Sequence, residues 1–244
     1  MKSSFTNYYQ DQIAQRTTLC ELKELLTELA RDLNFDYFIF VLRWPVSFAD
    51  SEIITIDGYP EGWVEHYFKN EYYKSDPVIS WCLKNILPIH WRSLNVTEES
   101  LGAKMMEDAE RFGLKDGCTV PVHGPLGQLG MLSMAVSNDL ELAKTTIINA
   151  AIPLQVLSPH IQNRVTQLQE QQIEKSPSIT DRERECLIWA ANGKSSNEIS
   201  QLLSISEATV NFHLNNVMKK LKVYNRQHAI SKASLKRLVR LNPF

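Results

Sequence analysis

Two helix-start signals follow one another near the C-terminal end of the chain and leave that stretch little choice of fold. In Thr180-Asp181-Arg182-Glu183 the threonine hydroxyl can take the backbone N–H of Glu183, while the glutamate reaches back to the N–H of Thr180. Ser195-Ser196-Asn197-Glu198 repeats the arrangement. The first box opens a helix with Leu187, Ile188 and Ala191 inward that stops at Asn192-Gly193. The second opens a short helix with Ile199, Leu202 and Leu203 inward, after which Ser204-Ile205-Ser206 turns the chain. A third helix over Glu207 to Leu221 brings Val210, Leu214, Val217 and Leu221 to one face. Two helices joined by so tight a turn make a helix-turn-helix, whose second helix is held rigidly with its outer face free. That face presents Asn211, Asn215, Lys219 and Lys220, amides suited to base edges and lysines suited to phosphates. The same spacing also describes an ordinary three-helix bundle with a polar surface.

Charge bears on that choice without deciding it. Residues 176–244 carry 11 Lys/Arg against 5 Asp/Glu, whereas the preceding residues carry 15 against 23. A small basic unit on an acidic body suits a tail that alone meets a polyanion, and a solvated charged face fits as well. The polar run Glu170 to Ser178, ending in Ser-Pro-Ser, divides the chain into residues 1–170, a linker over 171–178, and 179–244. With 244 residues, 43% of them hydrophobic, there is enough apolar material for a core. No apolar run reaches the ~18 residues of a membrane span. The first residues lead into no apolar signal segment, and Cys20, Cys82, Cys118 and Cys186 are widely spaced, with no zinc-ligand pattern. A soluble cytoplasmic protein without membrane partner, metal or cofactor is expected.

Upstream, Leu19, Leu22, Leu25, Leu26, Leu29 and Leu33 form one helical stripe. Tyr37 to Arg43 and Ile53 to Ile56 read as strands, and Pro60 to Tyr67 and Asp76 to Lys84 as short helices, the second with Asp76 as N-cap and Pro77 next. Glu98 to Phe112 reads as a helix stopped by Gly113, and Thr119 to Val122 with Gly130 to Val136 as an antiparallel pair around Gly124-Pro125-Leu126-Gly127. A long helix, broken near Pro153 and Pro159, closes the region. This order predicts an α+β fold: an N-terminal α/β/α sandwich with a central antiparallel sheet, followed by the all-α C-terminal domain.

The motifs of the tail are Thr180-x-Arg182-Glu183-x-Glu185-x-Leu187, Gly193-Lys194-Ser195, Glu198-Ile199, Ile205-Ser206, Thr209-Val210-x-x-His213 and Lys220-Leu221. Together they resemble the LuxR-type DNA-binding domain over the whole tail. The resemblance implies base contacts from Asn211 and Asn215, and places Lys194, Ser195, Thr209, His213 and Lys220 near phosphates. It implies a homodimer on an inverted-repeat double-stranded operator, a fourth helix over Arg226 to Leu241 that pairs the two domains, and contact with RNA polymerase.

In the front region the strand Tyr37 to Arg43 runs into Trp44-Pro45-Val46, without the acidic pair of a phosphorylated receiver. Instead Tyr59, Trp63 and Tyr67 recur every fourth residue and share one side if that segment is helical. Such a cluster is more often core than ligand site, though a small amide-bearing ligand would partner the buried polar atoms of Tyr, Trp and Asp. The pattern Trp63-x3-Tyr67-x8-Asp76-Pro77-x13-Trp91 with Gly117 resembles the autoinducer-binding domain of the LuxR family. That implies an N-acyl-homoserine lactone whose lactone carbonyl accepts from the Trp63 indole N–H. The ligand's amide N–H meets the Asp76 carboxylate, and its amide carbonyl meets the Tyr59 hydroxyl with help from Ser133. Trp91 packs near the lactone ring, Tyr67 and Thr119 complete the polar set, and Gly117 and Pro77 are structural. Ile39 and Val41 fall in the family's acyl channel, and strand alternation puts Met131 and Ala135 on the side of Ser133. Leu87-Pro88-Ile89-x-Trp91 and Pro121-Val122-His123-Gly124 resemble the LasR branch, whereas Val41, Met131 and Val64 depart from it and favour a medium or unsubstituted chain. No catalytic motif is present, so an enzyme is not expected. The rival expectation is an orphan regulator of this type that senses a different small molecule or acts without ligand.

Overall fold

The computed structural model describes residues 2–45, 50–125, 127–137, 140–172, 178–235 and 238. They fall into two compact units, Met1–Trp44 with Ile53–Gln172, and Pro45–Glu52 with Ile173–Phe244. The first is built on a sheet of β1 (Tyr37–Pro45), β2 (Ser51–Gly58), β3 (Ile89–His90), β4 (Asp116–His123) and β5 (Leu129–Val136), in the order β2-β1-β5-β4-β3. β5 pairs antiparallel with both β1 and β4, and β3 with β4. The register sets Ser133 between Ile39 and Thr119, and Met131 between Val41 and Pro121. Successive side chains alternate between faces, so Phe38, Phe40, Leu132, Met134 and Val120 share the face opposite to Ile39, Val41, Met131 and Ser133.

The first face packs into the main core against α1 (Lys2–Gln15), α2 (Leu19–Asp32) and α6 (Leu140–Gln172), through Tyr9 and Ile13, the leucine stripe of α2, and Leu154, Leu157, Ile161 and Val165. The other face lies under α3 (Trp63–Lys69), α4 (Pro77–Cys82) and α5 (Leu101–Arg111). This is the expected α+β arrangement, with four differences. α1 was not expected, because its inward residues Phe5, Tyr9 and Ile13 stand alone in a polar stretch. β3 is too short to leave a periodic signal. Tyr59 precedes α3 and is not on one helix with Trp63 and Tyr67. α6 runs through Pro153 and Pro159 unbroken. Each interior proline costs about 3 kcal/mol, and the complete burial of Leu154, Leu157, Ile161 and Val165 offsets it.

The second unit comprises α7 (Asp181–Ala191), α8 (Ser196–Leu203), α9 (Glu207–Lys220) and α10 (Arg226–Leu235). Both capping boxes form in full. Val210, Leu214, Val217 and Leu221 are buried together with Cys186, Leu187, Ala190 and Ile199. The inward face of α7 is thus one residue off the expected one, with Ala190 buried and Ala191 exposed, and Leu202 is half exposed. Most of the expected linker, and the expected last helix beyond Leu235 save Leu238, lie outside the described residues.

Candidate functional site

Between the sheet and α3–α5 lies a cavity of about 570 Å³. Ile39, Val41, Met131 and Ser133 form its floor, and Tyr59, Trp63, Tyr67, Asp76 and Trp91 line it from the helical layer and its loops. These were drawn from five separated stretches of sequence, and the fold brings them together. Thr119, expected among them, does not line the cavity. It is fully buried beside Ser133, with hydroxyls 2.8 Å apart, and accepts the Trp91 indole N–H at 2.9 Å. Ala135 is likewise buried and does not line the cavity. The sequence reading missed Met105, Met106 and Ala109 of α5 and Val78 and Ile79 of α4, whose helical spacing cannot be told from that of a core face.

The polar groups are held in place by the elements that carry them. Asp76 is the N-cap of α4: its Oδ1 accepts the backbone N–H of Val78 at 2.7 Å and of Ile79 at 3.3 Å. Its Oδ2 accepts the Tyr67 hydroxyl at 2.7 Å. Burial pushes this carboxyl above its ordinary pKa, against the lowering effect of those three bonds. On the other side, Thr119 already accepts from Trp91, so its own hydrogen is available to Ser133, and Ser133 bonds the phenolic oxygen of Tyr59. Tyr59 lines the cavity with its hydroxyl at the end of this chain of hydroxyls, and burial pushes the phenol's pKa up. Trp63 is buried, and its indole N–H makes no hydrogen bond among the described residues.

Trp63 is positioned from behind. His66 stacks against its ring with centroids 6.0 Å apart and bonds Asp108 of α5 at 2.8 Å. Asp108 also accepts from Tyr72 at 2.6 Å and Arg111 at 2.8 Å, and the bonds from Tyr72 and His66 hold its carboxyl below the usual range. Gly117 carries no side chain for a steric reason: a Cβ there would meet the Met134 carbonyl oxygen and come within 2.9 Å of the Trp91 ring. Among the described residues no group of three or more His, Cys, Asp or Glu could hold a metal ion.

In the second unit, Asn211, Asn215 and Lys219 are exposed on α9. Asn211 accepts the Ser196 hydroxyl at 2.7 Å. Between them stands Phe212, 61% exposed, which the sequence reading passed over. An apolar residue in a polar row was the signal that could have found it. Lys220 is turned away from this face and binds Glu183 at 2.7 Å. Burial would raise the Glu183 carboxyl, but the bonds from Lys220 and Thr180 bring it below its ordinary range. Lys194 pairs with exposed Glu198 at 3.0 Å, the Ser195 hydroxyl caps α8, the Thr209 hydroxyl meets that of Ser206 at 2.8 Å, and His213 is half-buried against Phe212.

Residues 18–165 match the family described as autoinducer binding domain, and residues 177–233 that described as bacterial regulatory proteins, luxR family. The transcriptional activator protein AhyR of Aeromonas hydrophila is 33% identical over 95% of this chain and 91% of its own. The transcriptional activator protein LuxR of Aliivibrio fischeri (strain ATCC 700601 / ES114) is 32% identical over 88% of this chain and 86% of its own. The fold superposes on Escherichia coli SdiA with a TM-score of 0.80 and 28% identity, over 98% of this chain and 99% of that one. A structure of SdiA in complex with octanoyl-rac-glycerol gives 0.81 and 26%, over 98% and 97%. An autoinducer-binding domain joined to a helix-turn-helix makes this chain a member of the LuxR family of ligand-responsive, DNA-binding transcription regulators that serve quorum sensing.

Proposed function

We propose that the chain is a receptor for an N-acyl-homoserine lactone, that it acts as a homodimer, and that it reads an inverted-repeat operator, with residues 1–170 binding the ligand, 171–178 linking and 179–244 binding DNA. One observation carries the ligand reading: a largely apolar cavity holds an unpartnered Trp63 N–H, the Tyr59 hydroxyl beside Ser133 and a buried Asp76 carboxylate. A lactone carbonyl, an amide carbonyl and one amide N–H answer those two donors and one acceptor. On α9, Asn211 and Asn215 suit base edges, Phe212 suits a thymine methyl and Lys219 suits a phosphate, as does Lys194 ahead of α8. Exposed Ile148, Ile152 and Val156 recur every fourth residue on α6, an apolar stripe that supports pairing with a second copy.

Thermal unfolding against a panel of acyl-homoserine lactones tests the reading, because a ligand bound only by the folded chain stabilises it by about 2.7 kcal/mol at a hundred times its Kd. A rise of several degrees with a lactone is expected. A rise with octanoyl glycerol and with no lactone would instead support an acylglycerol ligand, which the SdiA complex with octanoyl-rac-glycerol makes the specific second reading.

A further inference from the structure

The two tryptophans that line the cavity differ in what they have left to offer a ligand. Among the described residues the Trp63 N–H makes no hydrogen bond, whereas the Trp91 N–H is taken by the Thr119 hydroxyl at 2.9 Å. A ligand therefore meets Trp91 as a flat apolar wall, and a wall acts through its position. That position is weakly fixed by the backbone. β3 consists of Ile89 and His90 alone, paired with Thr119 and Cys118 of β4, and Trp91 opens the single turn Trp91–Ser93 that follows.

Asp116, the first residue of β4, supplies the missing hold. Its buried carboxylate binds both sequence neighbours of Trp91: His90 Nε2 lies 2.9 and 2.8 Å from its two oxygens, and Arg92 Nε lies 3.3 Å from Oδ2. The Gly117 N–H donates to Oδ1 at 2.8 Å and fixes the carboxylate to its own strand. Adjacent strand residues point to opposite faces. Asp116 thus grips the chain from one side of the sheet, while Trp91 lies over Gly117 on the other, where a Cβ would come within 2.9 Å of its ring. None of His90, Arg92 and Asp116 lines the cavity. A buried carboxylate costs stability unless it is well paired, and an apolar contact would pin so short a strand with less penalty. What the carboxylate adds is direction: a hold on the residues before and after Trp91 stops that segment from rotating and so fixes the tilt of the indole.

We infer that Asp116 is a positioning residue for ligand recognition: by gripping His90 and Arg92 it sets the plane of the Trp91 ring, and with it the room left for the ligand's head group. This role rests on the lactone reading for the identity of the head group, and on the fold alone for the setting of the ring.

Fluorine NMR of the full chain carrying fluorotryptophan follows the ring directly. The chain has five tryptophans, and the signal lost in Trp91→Phe assigns the resonance. Two variants are compared: Asp116→Asn, which keeps an acceptor for the Gly117 N–H, and Arg92→Met, at a half-exposed side chain that the fold can spare. Each is expected to shift or broaden the Trp91 signal and to leave that of Trp189, in the second unit, in place. Titration calorimetry with N-octanoyl- and N-dodecanoyl-homoserine lactone as probes then reads recognition. Asp116→Asn is expected to raise Kd about tenfold, by the same factor for both probes because the change lies at the head group, and to add nothing in a Trp91→Ala background. An unmoved Trp91 signal in both variants, or an equal loss of affinity with and without Trp91, overturns the inference and leaves Asp116 a residue of stability alone. Binding of no lactone by the unmodified protein overturns the lactone reading instead, and the fluorine signal still decides whether Asp116 sets the ring.

Discussion

Asp76 performs two tasks whose energetics oppose each other. As the cap of α4 it needs only an acceptor oxygen, which asparagine supplies equally well. As a buried carboxylate it destabilises the ligand-free fold, since burial raises its pKa above the unfolded value. Because the folded chain favours the neutral form, the penalty is absent below the ordinary carboxylate range and grows as pH rises through the raised pKa. Asp76→Asn is therefore expected to raise the melting temperature of the ligand-free protein at pH 7, with the gain vanishing toward pH 3, and to weaken lactone binding by tenfold or more. Calorimetric scans at the two pH values with a lactone titration check both halves. Trp63→Phe keeps an aromatic ring beside His66 but loses the N–H together with part of the buried indole, so a loss of about tenfold or more in affinity is expected in the same titration. The recurrence of Tyr, Trp and Asp, each with a polar atom to satisfy, was legible in the sequence. The place of Thr119 was not: it shares a sheet face with Ser133, and only the packing of Trp91 decides that it supports the cavity from behind.

Lys220 shows why an element's outward face cannot be assigned residue by residue from helical spacing. It neighbours Lys219 in sequence, yet its chain reaches back over α9 to the capping glutamate of α7 and ties the two helices together. Lys220→Met is thus expected to cost about 2 kcal/mol of stability, since it strands a buried carboxylate whose partner was partly exposed, and to leave the salt dependence of DNA binding unchanged. Lys219→Met should do the reverse, lowering the salt slope by about one phosphate contact. Unfolding curves and DNA titrations at several salt concentrations separate the two. The helices of this unit were legible because capping boxes declare their starts in local chemistry. α1 and β3 were not, because their placement depends on partners distant in sequence. The continuity of α6 through two prolines follows from the same cause: local propensity argued for a break, and burial against the sheet outweighed it.

At the scale of the whole molecule, the division between a basic and an acidic part is visible in charge alone, whereas the cavity is visible only once the strands are in register. The stripe of Ile148, Ile152 and Val156 belongs to this scale, as the face on which the proposed pairing with a second copy rests. Ile152→Asp is expected to shift ligand-bound protein from dimer to monomer in analytical ultracentrifugation and to weaken operator binding by an order of magnitude or more, without loss of the lactone-induced thermal shift. The two-faced sheet also bears on how such a receptor changes over generations. Residues 39, 41 and 43 of β1 and 129, 131 and 133 of β5 line the cavity while Phe38, Phe40, Leu42, Leu132 and Met134 hold the core, so adjacent codons answer to separate selection. A library randomised at 39, 41, 129 and 131 should retain far more folded members than one randomised at 38, 40, 132 and 134. Signal preference can therefore drift by single substitutions while the scaffold stays constant, and a lineage built on this sheet can acquire a new chemical vocabulary without first relearning how to fold.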